Sequence, residues 1–367
     1  MAAPDRLRVA AVLPAYFEDD LSFVGGGDRY AYNLARALQV TCDVTLVTFG
    51  PRRRERDVDG LRHIVVQASG RDEYNPRPRL GFLFRERFDV IHVFQLRTLV
   101  TSLLAVICRA RGIPMVVTDT GGGGRSLMYR LRLYSLVPSF VLISDFSRRL
   151  LPASTWSRSR VVKGGIDLTR FRFSEGPRRR QVLQVGRILP HKGINYLLEA
   201  AGDDVPVVVA GKVMDRAYYQ YLRRQSEGRP VTFVTEGSDW AVDALYAESA
   251  VTVAASVYRD VFGRDWPNSE LLGLTLLESM AVGTPVVCTN VGGMPEYVVD
   301  GKTGYVVAPS DPRAIRSQLE IILGDPKLAA ALGRAGHEHV QQFSWQKVAG
   351  QVAAEYSRLA GRDKRRP

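Results

Sequence analysis

The 367-residue chain is poor in cysteine, histidine and lysine. Its three cysteines, Cys42, Cys108 and Cys288, are odd in number, far apart and never in a Cys-x-x-Cys pair. That argues against a disulfide framework and a zinc ribbon, and a reducing compartment is expected. The five histidines show no metal spacing: the nearest pair, His337 and His339, points to different sides of a helix. No metal and no resident cofactor is therefore expected. The longest apolar helical stretch, 99–108, is about half of the ~20 residues that a membrane span needs. The first apolar run, 9–13, is stopped by Pro14 and is too short for a signal sequence. It reads as a strand, and the protein as cytoplasmic. There is no internal repeat, no Gly-x-Ser-x-Gly elbow and no nucleic-acid module, so neither a hydrolase of that type nor a nucleic-acid partner is expected. Asp57-Val58-Asp59 has the Asp-x-Asp form of metal-dependent transferases, but its setting reads as a solvated turn.

What is present is ordinary for a globular protein, with 46% hydrophobic and 24% charged residues. The length suggests two domains. Arginine dominates the bases, 43 against 7 lysines, and the net charge is +12. The excess is one-sided. Positions 1–180 hold 30 basic and 17 acidic residues, the remainder 20 and 21. A positive field confined to one half suggests an anionic partner there, either a membrane surface or an acidic small molecule. Arginines interleaved with apolar residues in 77–88 and 125–136 suit an amphipathic helix at a membrane interface, or one packed on its own sheet.

Short, unalternating, β-branched runs recur at 9–13, 44–49, 64–66, 90–93, 115–118, 140–143 and 161–162. They continue at 182–185, 205–210, 231–234, 251–254 and 286–289. Such runs are strands buried on both faces, as in a parallel sheet covered by helices. Helical patterns fall between them at 28–38, 98–111, 194–201, 218–225 and 276–282. The alternation predicts an α/β protein of two doubly wound, Rossmann-like domains facing a cleft. The polar, Gly- and Pro-broken stretch 167–180 predicts the junction. The expected divisions are 1–170, 171–345, and a terminal helix with a basic tail at 346–367.

Residues 268–304 carry most of the chemistry. Glu270 precedes a helix entered at Gly273, and Glu278 lies two turns inside it. The amides of Gly273, Leu274 and Thr275, with the helix dipole behind them, suit a phosphate. The flanking carboxylates would hold hydroxyl groups, as on a sugar and a ribose. Gly186-Arg187-Ile188-Leu189-Pro190-His191-Lys192-Gly193 follows a strand and precedes a helix. Arg187 there suits bidentate contact with phosphate oxygens and Lys192 a point charge.

Together these stretches resemble glycosyltransferase family four, the retaining enzymes of GT-B fold. Glu270 and Glu278, with Gly273 between them, match its Glu-x7-Glu. Gly186, Arg187, Lys192 and Gly193 match its Gly-Arg…Lys-Gly loop. Gly292, Gly293, Pro295, Glu296, Asp300, Gly301 and Gly304 match its later Gly-Gly-x-Pro-Glu…Asp-Gly-x-x-Gly. Gly25, Gly26 and Gly27 match the loop that opens the first helix, and Asp89-Val90-Ile91-His92 the Asp-Val-Ile-His strand. The resemblance covers nearly the whole chain.

It implies a metal-independent, retaining transfer of a sugar from a nucleotide-diphosphate sugar to an acceptor. Arg187 and Lys192 would bind the diphosphate, Glu278 the ribose and Glu270 the transferred sugar. The amides at 273–275 would face the phosphates, and Gly26 and Gly27 would admit the donor from the first domain. The acceptor, anionic or lipid-linked, would meet the basic first half, with a peripheral contact at the inner membrane face. Two departures stand out. The usual Pro-Asn-Gly-Val-Asp is Lys163-Gly164-Gly165-Ile166-Asp167, and Thr120 stands where a Thr-x-His-Gly histidine belongs. Either Asp119 takes over the polar catalytic role, or the acceptor is held differently. Gly121, Gly122, Gly123 and Gly124 then form an anion cradle or a mobile loop. The alternatives are a sugar-nucleotide epimerase or phosphorylase on the same scaffold, and a non-catalytic membrane-surface scaffold.

Overall fold

A computed structural model describes residues 6–17, 26–69, 76–121, 127–235 and 239–361. The chain forms two compact units, 1–165 with 345–367, and 166–344. The division at Gly165/Ile166 stands a few residues ahead of the expected 170/171, and the terminal helix Trp345–Leu359 belongs to the first unit. Reassigning that helix sharpens the charge contrast. The first unit carries 31 basic and 17 acidic residues, the second 19 and 21.

The first unit holds a sheet of β1 (Leu7–Tyr16), β2 (Cys42–Gly50), β3 (Arg54–Val58), β4 (Leu61–Ser69), β5 (Arg77–Pro78), β6 (Val90–Phe94), β7 (Met115–Thr118), β8 (Ser139–Leu142) and β9 (Ser159–Val161). Their order is β3-β4-β2-β1-β6-β7-β8-β9, with β5 beside β4. All pairings are parallel except β3–β4 and β4–β5. β6 and β7 are buried along their whole length, which is why they read as continuous apolar runs. The helix Leu99–Arg111 begins where Thr98 accepts the amide of Thr101 and ends at left-handed Gly112.

The second unit holds β10 (Arg179–Val185), β11 (Val207–Ala210), β12 (Val231–Val234), β13 (Ser249–Ala254), β14 (Val286–Thr289) and β15 (Gly304–Val307). Every pairing is parallel, in the order β12-β11-β10-β13-β14-β15. Strand order reverses between β10 and β13 here, and between β1 and β6 in the first unit. Ligands of doubly wound sheets gather beyond the carboxyl ends of strands at such reversals.

One expected element is corrected. The stretch 125–136 is not a single amphipathic helix. Among its described residues, Leu127–Arg130 is one helical turn, Arg132 takes φ 52°, and Leu133–Leu136 is a separate 3₁₀ turn. The left-handed residue breaks the helical face, and Tyr129, Leu133 and Leu136 pack on the core while Leu131 stays exposed. In 77–88, Leu83 is buried and Phe88 packs on that core.

Asp57 lies near the end of β3 and Asp59 in the tight β3–β4 turn. Asp57 accepts the amide of Gly60, and Asp59 accepts the Tyr32 hydroxyl at 2.5 Å. Asp59 and Gly60 both have positive φ, as a two-residue hairpin demands. No described helix is long and apolar enough to cross a membrane.

Candidate functional site

In the second unit, the loop after β10 and the loop after β13 converge at the strand-order reversal. Lys192 Nζ meets Glu270 Oε1 at 2.5 Å, and the Ser256 hydroxyl donates to the same oxygen at 2.7 Å. The two charged side chains are 19% and 11% exposed. Burial alone would raise the Glu270 carboxyl. The charge and hydrogen bond of Lys192 and the hydroxyl of Ser256 outweigh it and hold the group below its ordinary value. Glu270 is thus an anion with one oxygen occupied twice.

Backbone packing brings the loops together. Gly193 takes φ 62°, and a β-carbon there would stand 2.0 Å from the carbonyl oxygen of Ala255. Gly292 takes φ 61°, and a β-carbon there would stand 1.8 Å from the carbonyl oxygen of Glu270. That carbonyl accepts the amide of Gly293 at 2.9 Å, while the Gly292 amide donates to the Tyr258 hydroxyl at 2.8 Å. Gly292 and Gly293 therefore clamp the backbone that carries Glu270. Gly186 presses on Gly211 in the same way beside β11.

Arg187 is half-buried, with no hydrogen-bond or ion-pair partner among the described residues. His191 is buried, its ring 4.5 Å from that of Trp266. Burial, then the charge of Lys192, lowers its pKa to about 4, so the imidazole is neutral at pH 7. The helix Leu274–Val282 opens at Gly273, whose φ is 104°. The amides of Gly273, Leu274 and Thr275 make no hydrogen bond within the described chain. Glu278 accepts the hydroxyl of fully buried Tyr246 at 2.8 Å. Burial, then the Glu278 charge, raises that phenol well above its usual value, so it remains a donor.

In the first unit, Asp119 is buried at the end of β7. Its Oδ1 lies 3.4 Å from the Leu96 amide and 3.3 Å from that of Gly121, so it ties together the loops after β6 and β7. Burial raises its carboxyl, opposed by the Leu96 amide and the charge of Arg97. Gly26 and Gly27 open the helix Gly26–Leu38. A β-carbon on Gly27 would stand 3.0 Å from Thr120 Oγ1, a buried hydroxyl with no hydrogen-bond partner among the described residues. The helix entrance at Gly27 thus packs against Thr120. Gly25 and Gly122, Gly123 and Gly124 lie outside the described residues. His92 is a core residue: its ring nitrogens meet the hydroxyls of Tyr356 at 2.5 Å and Thr118 at 2.8 Å.

Sequence reasoning missed Ser256, Tyr246, Tyr258 and the His191–Trp266 pair. Ser256, Tyr246 and Tyr258 are distant in sequence from the group each supports and no local motif marks them; His191 lies within the Gly186–Gly193 loop, but its ring partner Trp266 is far along the chain. Among the described residues no cluster of three or more His, Cys, Asp or Glu could hold a metal ion.

Comparison with known proteins gives the family and the fold. Residues 24–170 match the family model "Glycosyltransferase Family 4", and residues 166–339 match "Glycosyl transferases group 1". The chain belongs to the family-four glycosyltransferases, with their GT-B fold. It is 29% identical over 243 residues to sulfoquinovosyl transferase SQD2 of Arabidopsis thaliana, covering 62% of this chain and 45% of that protein. The chain spans about half the length of the curated relatives it matches. Sucrose-phosphate synthase from Thermosynechococcus elongatus superposes with a TM-score of 0.76 at 22% identity, over 97% of this chain and 100% of that one. Anabaena Alr3699/HepE, solved with UDP and glucose, superposes at 0.73 with 16% identity, over 96% and 100%.

Proposed function

We propose that the protein transfers a sugar, with retention, from a nucleotide-diphosphate sugar to an acceptor met by the basic first unit. The observation that carries this reading is the Lys192–Glu270–Ser256 cluster beside unpaired Arg187 and the open amides of 273–275. Two cations and a helix entrance suit a diphosphate, and a buried anion beside them suits sugar hydroxyls. The structural neighbour solved with UDP and glucose supports the same donor class.

In the reaction, the bond between the sugar's anomeric carbon and the diphosphate oxygen breaks. The acceptor oxygen bonds that carbon on the same face and passes its proton to the departing diphosphate oxygen. Arg187, Lys192 and the amides at 273–275 take the charge that gathers on the leaving diphosphate, and they can do so without a divalent ion. Glu270 holds the sugar's hydroxyls, and Lys192 and Ser256 keep it ionised. Glu278, oriented by Tyr246, takes the ribose. On the first unit, Asp119 supplies the polar group of the acceptor side, and Gly26 and Gly27 leave room for substrate at the helix entrance.

A thermal-shift screen of nucleotide sugars tests the donor class. A ligand at 100 times its dissociation constant should stabilise by about 2.7 kcal/mol. No shift with any nucleotide sugar or nucleoside diphosphate would overturn the reading. Retention follows from the anomeric configuration of the product by NMR. Donor turnover without an acceptor product would point to an epimerase.

A further inference from the structure

Two buried polar atoms near Glu270 have no hydrogen-bond partner among the described residues: Nδ1 of His191 and the hydroxyl oxygen of Ser269. Burying a polar atom unpaired is costly, and native interiors rarely keep two such atoms in one corner without a partner to come.

The corner is built rather than loose. His191 is 5% exposed and precedes Lys192 in the Gly186–Gly193 loop. Its ring rests 4.5 Å from that of Trp266. The indole is fixed in turn, because its Nε1 donates to Asp260 Oδ2 at 2.8 Å. The Asp260 side chain is wholly buried, and its other oxygen accepts the amides of Phe262 at 2.9 Å and Arg264 at 3.0 Å. An antiparallel bridge between Arg259 and Asp265 closes this hairpin. The Ser269 amide then donates to the Trp266 carbonyl at 3.1 Å, which seats Ser269 directly before Glu270.

What stands unpaired here suits hydroxyl groups. Arg187, Lys192 and the amides at 273–275 already supply positive charge for a diphosphate. Burial and the charge of Lys192 keep the imidazole neutral at pH 7, and the Ser269 hydroxyl carries no charge. Lys192 and Ser256 both use Oε1 of Glu270, so Oε2 is left without a hydrogen bond among the described residues. A neutral imidazole, a hydroxyl and a carboxylate oxygen together offer donors and acceptors to a polyol.

We propose that His191 and Ser269 bind hydroxyl groups of the transferred sugar and, with Glu270, set which sugar is accepted. The assignment rests on the proposed donor class and adds the residues that read the sugar rather than the nucleotide. Selection is strong in such a corner, because a sugar lacking the matching hydroxyl leaves a buried polar atom unpaired.

Calorimetry on the full chain, with UDP-glucose, ADP-glucose and GDP-mannose set against UDP, ADP and GDP, tests this. His191→Phe keeps a ring against Trp266 and removes both nitrogens. Ser269→Ala removes only a hydroxyl and carries the test if His191→Phe fails to fold. Each variant should bind the nucleoside diphosphate as wild type does and the nucleotide sugar about fivefold more weakly, the worth of one hydrogen bond. Deoxy analogues of the sugar that binds give a second readout. Wild type should discriminate against the analogue lacking the hydroxyl that His191 meets, and His191→Phe should discriminate less. Undiminished nucleotide-sugar affinity in both variants overturns the proposal. An equal loss for diphosphate and nucleotide sugar also overturns it, while leaving the donor class standing. Failure of the wild type to bind any of the six ligands overturns the donor class and this assignment together.

Discussion

Lys192→Met separates the structural from the chemical duties of the Lys192–Glu270 pair. The two side chains are 19% and 11% exposed and meet at 2.5 Å. Removing one partner of a buried pair typically costs 3–5 kcal/mol, because the other charge is left uncompensated. Ser256 still donates to Glu270 in the variant, which places the loss below that range, at about 2–3 kcal/mol. For a unit of this size each kcal/mol moves the melting midpoint by about 2–4 °C, so a drop of roughly 5–10 °C is expected at neutral pH. Adding Glu270→Gln should restore much of it, since the double variant buries no charge. The pH dependence has a definite sign. The folded-state pKa of Glu270 is lowered, so the pair's contribution is present above the ordinary carboxylate range and is lost as pH falls through the folded value. In Lys192→Met, burial raises the same carboxyl, and acid should relieve the variant. Melting curves of the wild type, both single variants and the double, taken near neutrality and near the carboxylate range, decide the matter. Equal midpoints for wild type and Lys192→Met at neutral pH would refute the reasoning, as would a double variant no more stable than Lys192→Met.

Arg187→Ala should leave the melting midpoint unchanged, because Arg187 has no partner within the described chain. It should weaken nucleoside-diphosphate binding about tenfold or more, the worth of one charge-assisted hydrogen bond; undiminished affinity by calorimetry contradicts the diphosphate assignment. Glu278→Gln should mainly lower nucleotide affinity and Glu270→Gln mainly turnover, because the ribose does not react and the sugar does. A larger affinity loss in Glu270→Gln reverses the roles. Gly292→Ala meets the carbonyl oxygen of Glu270 at 1.8 Å from a positive-φ position, so stability and donor affinity should fall together; a variant normal in both removes the backbone clamp. Turnover should survive a chelator, whereas loss reversed by manganese would demand a metal step.

The strands that sequence pattern revealed are those buried on both faces, since burial turns a strand into an unbroken β-branched run. Three strands escaped for physical reasons. β3 is Arg-Glu-Arg-Asp-Val, a charged sheet edge held by antiparallel pairing rather than by burial. β5 has two residues. β15 begins at Gly304, which is pressed so closely on Val286 that no side chain fits. The helix expected over 125–136 failed because an apolar–basic pattern does not report a single left-handed residue, Arg132.

The candidate site divides the same way. Glu270, Glu278, Arg187 and Lys192 were legible because glycine-bounded loops and a seven-residue gap leave a local trace. Their supports were not: Ser256 is 14 residues from Glu270, and Tyr246 is 32 from Glu278. The later Gly-Gly…Asp-Gly…Gly pattern reads as one signature in sequence, yet the fold gives its parts different tasks. Gly292 and Gly293 seat the backbone of Glu270. Asp300 accepts the amide of Val306, and Gly304 lets β15 close on β14. The first part bears directly on the site and the second on the sheet beneath it. A substitution in the first part should therefore shift donor binding beyond what lost stability explains. One in the second part should act through stability alone, which makes the ratio of the two effects a measure of how directly each residue serves the site.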